Sequence, residues 1–144
     1  MSIKVSQVRS AVADKVEALE GFKEVPFPAE YLGRVQNSVA HKGFGVSITS
    51  STAKEDRQAR RNTYYLSSSV RVRFAYRLRP HSVILDYGNS MDAEQQVQVA
   101  VLGSYQAIRQ GLQIEYNRTT RNFTDSLEYV ITELEFTAYH HIGE

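Results

Sequence analysis

An α+β fold, with a mainly antiparallel four-stranded sheet packed by an N-terminal helix and a central helix, follows from three features of the chain. Residues 63–79, TYYLSSSVRVRFAYRLR, alternate so that Leu66, Val70, Val72, Phe74, Tyr76 and Leu78 share one side. A period of two belongs to an extended strand with one buried face. A second alternating stretch, Ser126 to Ile142, carries Glu128, Glu133 and Glu135 and neither lysine nor arginine. Two segments of helical period, one N-terminal and one over 92–110, supply the other layer.

From Ser2 to Leu19, Val5, Val8, Val12, Val16 and Leu19 recur at spacings of three and four, the stripe of an amphipathic helix. Gly21 is placed to end it in a left-handed turn. Valine is a mediocre helix former, so packing on the sheet must supply the stability. Between 22 and 43, Pro26 and Pro28 interrupt the chain, and Pro28 suits the first position of a short helix bearing Leu32, Val35 and Val39. Phe44, Val46 and Ile48 alternate with Gly45, Ser47 and Thr49 as a first strand. Residues 50–62 have charges, turn formers and no apolar period, which predicts a solvated loop.

After the arginine-rich strand, Pro80 stops the pairing and Val83 to Leu85 read as a short extended piece. Asp86 to Ser90 read as a turn, with Ser90 or Asp92 capping the following helix and Gln95 completing a capping box. Over 92–110, Ala93, Val97, Ala100, Val101, Ser104 and Ile108 share a face, and Gly111 ends the helix. Leu112, Ile114 and Tyr116 alternate as a third strand. Asn117 to Asn122 form a turn into the acidic strand. No linker or repeat interrupts the 144 residues, which read as one domain, 1–144.

Composition narrows the function. The 17 basic and 16 acidic side chains leave a formal charge of +1, unlike a dedicated nucleic-acid binder. Absence of cysteine removes disulfides, thiolate metal sites and cysteine nucleophiles. No apolar run approaches the roughly 18 residues of a membrane span, and no secretory signal is expected. No phosphate-binding loop, dinucleotide fingerprint, nucleophile elbow or zinc-protease motif occurs, so no enzyme activity, cofactor or metal is expected. His140 and His141 are adjacent and point to opposite faces of a strand.

Three groups of residues are candidates for contacts. Arg71, Arg73, Arg77 and Arg79 fall on the polar side of the long strand. Either Arg71 and Arg73 face Glu133 and Glu135 across paired strands, within one chain or between subunits, each pair contributing roughly 0.2–1 kcal/mol, or the arginine ladder holds phosphates. On the pairing reading Arg71, Arg73, Arg77, Arg79, Glu133 and Glu135 are candidates for a subunit interface. Arg77 and Arg79 are the better placed of the four to contact something else. Val99 and Leu102 lie opposite the apolar face of the central helix and could cover part of a subunit contact. Arg57, Arg60 and Arg61 cluster in the 50–62 loop, where they suit a partner-docking role.

Length adds a constraint. Seventeen extended residues span about 56 Å, whereas a compact chain of this size has a diameter of about 37 Å. The long strand must therefore bend, with Ser67-Ser68-Ser69 as the place, or project where sister copies can pair with it.

In length and element order the chain resembles the tail terminator (tail completion) proteins of long-tailed bacteriophages. The likeness is carried by VSQVRSAVADKVEAL, FGVSIT, the polar loop, YLSSSVRVRFAYRL, DAEQQVQVAVLGSYQAIRQG, LQIEYN and SLEYVITELEFTAYHHI. The resemblance implies a non-enzymatic virion protein, assembled in the host cytoplasm, that forms a homo-oligomeric ring, commonly a hexamer. Such a ring caps the tail tube protein's finished tube and meets the head–neck connector protein, with DNA passing through its lumen without sequence readout. Other neck or head-closure components and a nucleic-acid-binding module built on Arg57, Arg60, Arg61, Arg77 and Arg79 are the alternatives.

Overall fold

The computed structural model describes residues 3–25, 41–54, 63–104, 111–125 and 127–143. In chain order these form α1 (Val5–Glu17), β1 (Lys23–Glu24), β2 (Gly43–Lys54), β3 (Thr63–Arg77), α2 (Val83–Leu102), β4 (Gln113–Phe123) and β5 (Tyr129–Gly143). The class is α+β, as expected, but the sheet has five strands in the order β1-β2-β3-β5-β4. It is mixed: two-residue β1 runs parallel to β2, and the other three pairings are antiparallel. β1 is too short to show any period, which is why the alternation pattern counts four strands.

Both helices pack on one face. Val8, Val12 and Val16 of α1 and Ala93, Val97 and Val101 of α2 share one core with Phe44, Val46, Val70, Val72, Phe74, Leu134 and Phe136. The strand residues are all even-numbered, the side that alternation assigns to the core. Phe22 meets Phe44 and Phe74 edge-on at 6.4 and 5.4 Å. Arg9 ties α1 to the sheet, its Nε donating to the Val46 carbonyl at 3.1 Å while its guanidinium pairs with Glu24 of β1.

The helix boundaries differ from the reading in instructive ways. α1 has Ala18 at its C-terminus; Gly21, at φ +83°, takes a left-handed turn three residues later. α2 begins at Val83, so Val83 to Leu85 are not extended and Asp86 to Ser90 are not a turn. Asp86 explains the difference. Its carboxylate accepts from the Arg79 backbone N–H at 2.8 Å, from the Arg79 guanidinium at 3.1 and 2.9 Å, and from Ser82 Oγ at 3.1 Å. An anchored acid in the first turn also complements the helix dipole. These contacts offset the poor helix propensity of Asp86, Gly88 and Asn89. The described helix ends at Leu102 with Gly103 as its cap.

Two strands run further than their apolar pattern. β2 continues through 50–54, where the reading places loop. Residues 49–53 are exposed on both faces, so no apolar period could betray the strand. β4 continues through Phe123, so Asn117 to Asn122 are strand and the turn lies beyond, with Leu127 at φ +57°. The cause is a β-bulge between Tyr116 and Arg118, which flips the parity of inward-facing residues. β3 and β5 stay paired over their whole 15-residue lengths, from Thr63↔Gly143 to Arg77↔Tyr129. The irregularity nearest Ser67-Ser68-Ser69 sits on the partner strand, between Ile48 and Ser50. No helix among the described residues is long and apolar enough to cross a membrane. The proposed 28–39 helix, Ile108 and the arginines Arg57, Arg60 and Arg61 lie outside the described residues.

Candidate functional site

Odd-numbered residues of β3 and β5 point away from both helices, and here the arginines and glutamates meet. Arg71 is directly opposite Glu135, and Arg73 opposite Glu133. Arg73 Nη2 donates to Glu133 Oε1 at 2.9 Å. Arg71 lies 3.4 Å from Glu135 opposite it and reaches diagonally to within 3.6 Å of Glu133. The β4 bulge adds a third cation by turning Arg118 onto this face, where its guanidinium forks onto Glu135. That fork is the main reason the Glu135 carboxyl is held below its ordinary range. The same bulge sends Arg121 to the helical side, where it pairs with Glu94 of α2.

The ladder is the charge-paired alternative, formed within one chain. The Arg73 and Glu133 side chains keep only 12% and 17% exposure, on the face opposite the two described helices. Ala75, Ile131 and Tyr129 form a small apolar cluster at one end of this face. At the other end Tyr65 stacks on Tyr139, with centroids 6.2 Å apart, and tilts against His141 at 4.7 Å. Tyr139 donates its hydroxyl to Glu115 at 3.1 Å, which raises its pKa.

The remaining candidates separate. Arg79 lies past the end of β3 and is engaged with Asp86, so it does not extend the ladder. Arg77 is exposed at the strand end, its backbone N–H donating to His41 Nδ1 at 3.1 Å. Val99 is 71% exposed on the outer side of α2. Leu102 does not share that surface; it packs against the core and lines an open groove with Leu112, Ile114 and Tyr139. Val99 borders a different groove, with Leu19, Asp92, Gln95, Gln96 and Ala100.

Two features escaped sequence reasoning. Ile84 and Leu85, read as extended, are 89% and 62% exposed on the first turn of α2. Further along the same helix Tyr87 stacks with Phe123, which is itself 46% exposed. The second is His140, fully buried, with Nδ1 2.8 Å from the Ile3 carbonyl and Nε2 2.9 Å from Ser68 Oγ. The carbonyl fixes Nδ1 as the protonated nitrogen, so Ser68 donates to Nε2. Burial depresses its pKa, and the ring pins residue 3 to the end of β5. His141 lies on the opposite face, as alternation requires. No family model and no curated protein matches the chain.

Proposed function

We propose that this chain is a structural assembly protein of a bacteriophage virion: a tail terminator whose copies close into a ring, six in number. The ring would end the tail tube and join it to the head–neck connector, with DNA passing through the lumen unread. The observation that carries this reading is the distribution of exposure on the sheet. Both helices cover one face, while the outer end of β2 is exposed on both of its sides and edge strand β4 is mostly exposed along its length. Exposed strand edges are templates for a neighbouring chain. Among the exposed apolar groups, Ile84 and Val99 stand on the outer side of α2, where two faces of different character favour a head-to-tail contact that closes by rotation.

In this scheme the ladder of Arg71, Arg73, Glu133 and Glu135 stiffens the sheet within each copy, and Val99 and the strand edges meet neighbours. The test is electron microscopy of purified protein mixed with isolated tail tubes. Annular density seated at one tube end, and tubes that no longer elongate, are expected. Bare tube ends at saturating protein would refute the assignment.

A further inference from the structure

At the pole where β3 ends and α2 begins, His41, Tyr76, Arg77, Arg79, Asp86 and Asn89 line a cleft of about 270 Å³. Its chemistry is set by which hydrogen-bonding groups are already used. Asp86 accepts four hydrogen bonds, three from Arg79 and one from Ser82. Three of these bonds converge on Oδ2 and one reaches Oδ1, and the Arg79 guanidinium offsets the carboxylate's charge. The Arg79 fork uses Nε and one hydrogen of Nη2, which leaves its outer edge, Nη1 included, with donors to spare.

The histidine is set in the same way. Nδ1 of His41 accepts the Arg77 backbone N–H at 3.1 Å, so in the neutral ring Nε2 carries the proton and is a donor. The Tyr76 ring braces it edge-on at 4.4 Å. Burial, then Lys42, keeps the ring's pKa below its usual value. The Arg77 guanidinium has no acidic partner among the described residues. The ionised neighbours are Arg77, Arg79 and Lys42 against Asp86 and Asp92, a cationic excess.

We infer that this cleft is a binding site for a phosphoryl group, held by Arg77, the outer edge of Arg79, His41 Nε2–H and the Asn89 amide. Donors outnumber what the two oxygens of a planar carboxylate can accept, whereas a tetrahedral phosphate offers three or more oxygens and a larger charge. Guanidinium forks suit that geometry. Free phosphate and a nucleic-acid backbone both present this group, and the cleft reads only the shared chemistry. The inference does not depend on ring formation.

The test is a titration of the full chain with inorganic phosphate at low salt, followed by amide and His41 ring NMR shifts. Saturable shifts confined to His41, Tyr76, Arg77 and Asn89 are expected. Arg77→Gln should weaken the affinity about tenfold, as loss of one charge-assisted contact does, and Asn89→Ala should weaken it less. Arg118→Gln, on the far face, should leave it unchanged. A short DNA duplex that displaces phosphate assigns the site to a backbone, and one that fails to do so assigns it to the free anion; both outcomes support the site. Arg77→Gln and Asn89→Ala both binding phosphate as the parent does, or acetate shifting the same signals with equal affinity, would overturn it.

Discussion

The two faces of the central strands are built from alternate residues of the same segments, yet they are held by different physics. On the helical side Val70, Val72, Phe74, Leu134 and Phe136 are fully or almost fully buried. On the other side Arg71, Arg73, Glu133 and Glu135 stay partly wet and pair with one another and with Arg118. Burial of apolar area is non-directional and large; a cross-strand ion pair is directional and small. The first face therefore carries the stability, and the second carries register and surface character. A one-residue slip would put Arg71 into the core and Val72 into water, so the charge ladder and the core enforce the same register.

That contrast yields a graded set of expectations. Phe136→Ala, at the centre of the helical side, should cost about 3–5 kcal/mol, read from urea unfolding. Arg73→Glu, on the open side, should cost about 1–3 kcal/mol, between the values for exposed and buried pairs. Adding Glu133→Arg should recover part of that loss, and Glu135→Arg less, because Glu133 is the direct partner of Arg73. A double variant no better than the single one would show that the ladder does not act as a cross-strand pair.

A smaller effect separates the ladder from the pole. The Asp86 carboxyl is held well below the usual range, chiefly by its hydrogen bonds from the Arg79 side chain and backbone. A depressed folded-state pKa contributes stability that is present above the unfolded value of about 3.9. It is lost as pH falls from there through the folded pKa. Asp86→Asn should lower the midpoint of thermal unfolding at pH 7 and flatten its fall below about pH 4. Equal acid sensitivity in parent and variant would remove Asp86 from the account of how α2 starts.

How much of this was legible depends on whether neighbours preserve the period. β3 and β5 are flanked on both sides, so their alternation survives intact, and with it the Arg71 and Arg73 pairing with Glu133 and Glu135. β4 was cut short because the bulge at Tyr116/Arg118 inverts its parity and turns Thr119, Arg121 and Phe123 inward. The outer half of β2 was lost because a strand exposed on both faces has no reason to alternate. The start of α2 was misplaced because Asp86-Tyr87-Gly88-Asn89-Ser90 is turn-like until the Arg79 fork is counted, an interaction that propensity does not contain. Of the candidate contacts, Arg77 and Arg79 stand apart from the ladder, Arg77 opposite Tyr129 and Arg79 engaged with Asp86. Their setting with His41 and Asn89 needed the fold, since His41 lies 36 residues before Arg77 and Asn89 is presented by a helix turn that propensity does not contain. Leu102, three residues on from Val99, is partly buried against the core and lines an open groove with Leu112 and Ile114, a setting that a helical wheel does not contain.

The assembly reading rests on surfaces that one copy leaves uncovered, and mass in solution tests it most directly. Native mass measurements over a wide concentration range, with and without tail tubes, should give a closed species of six 16.3 kDa chains. A single-chain mass under every condition would contradict it.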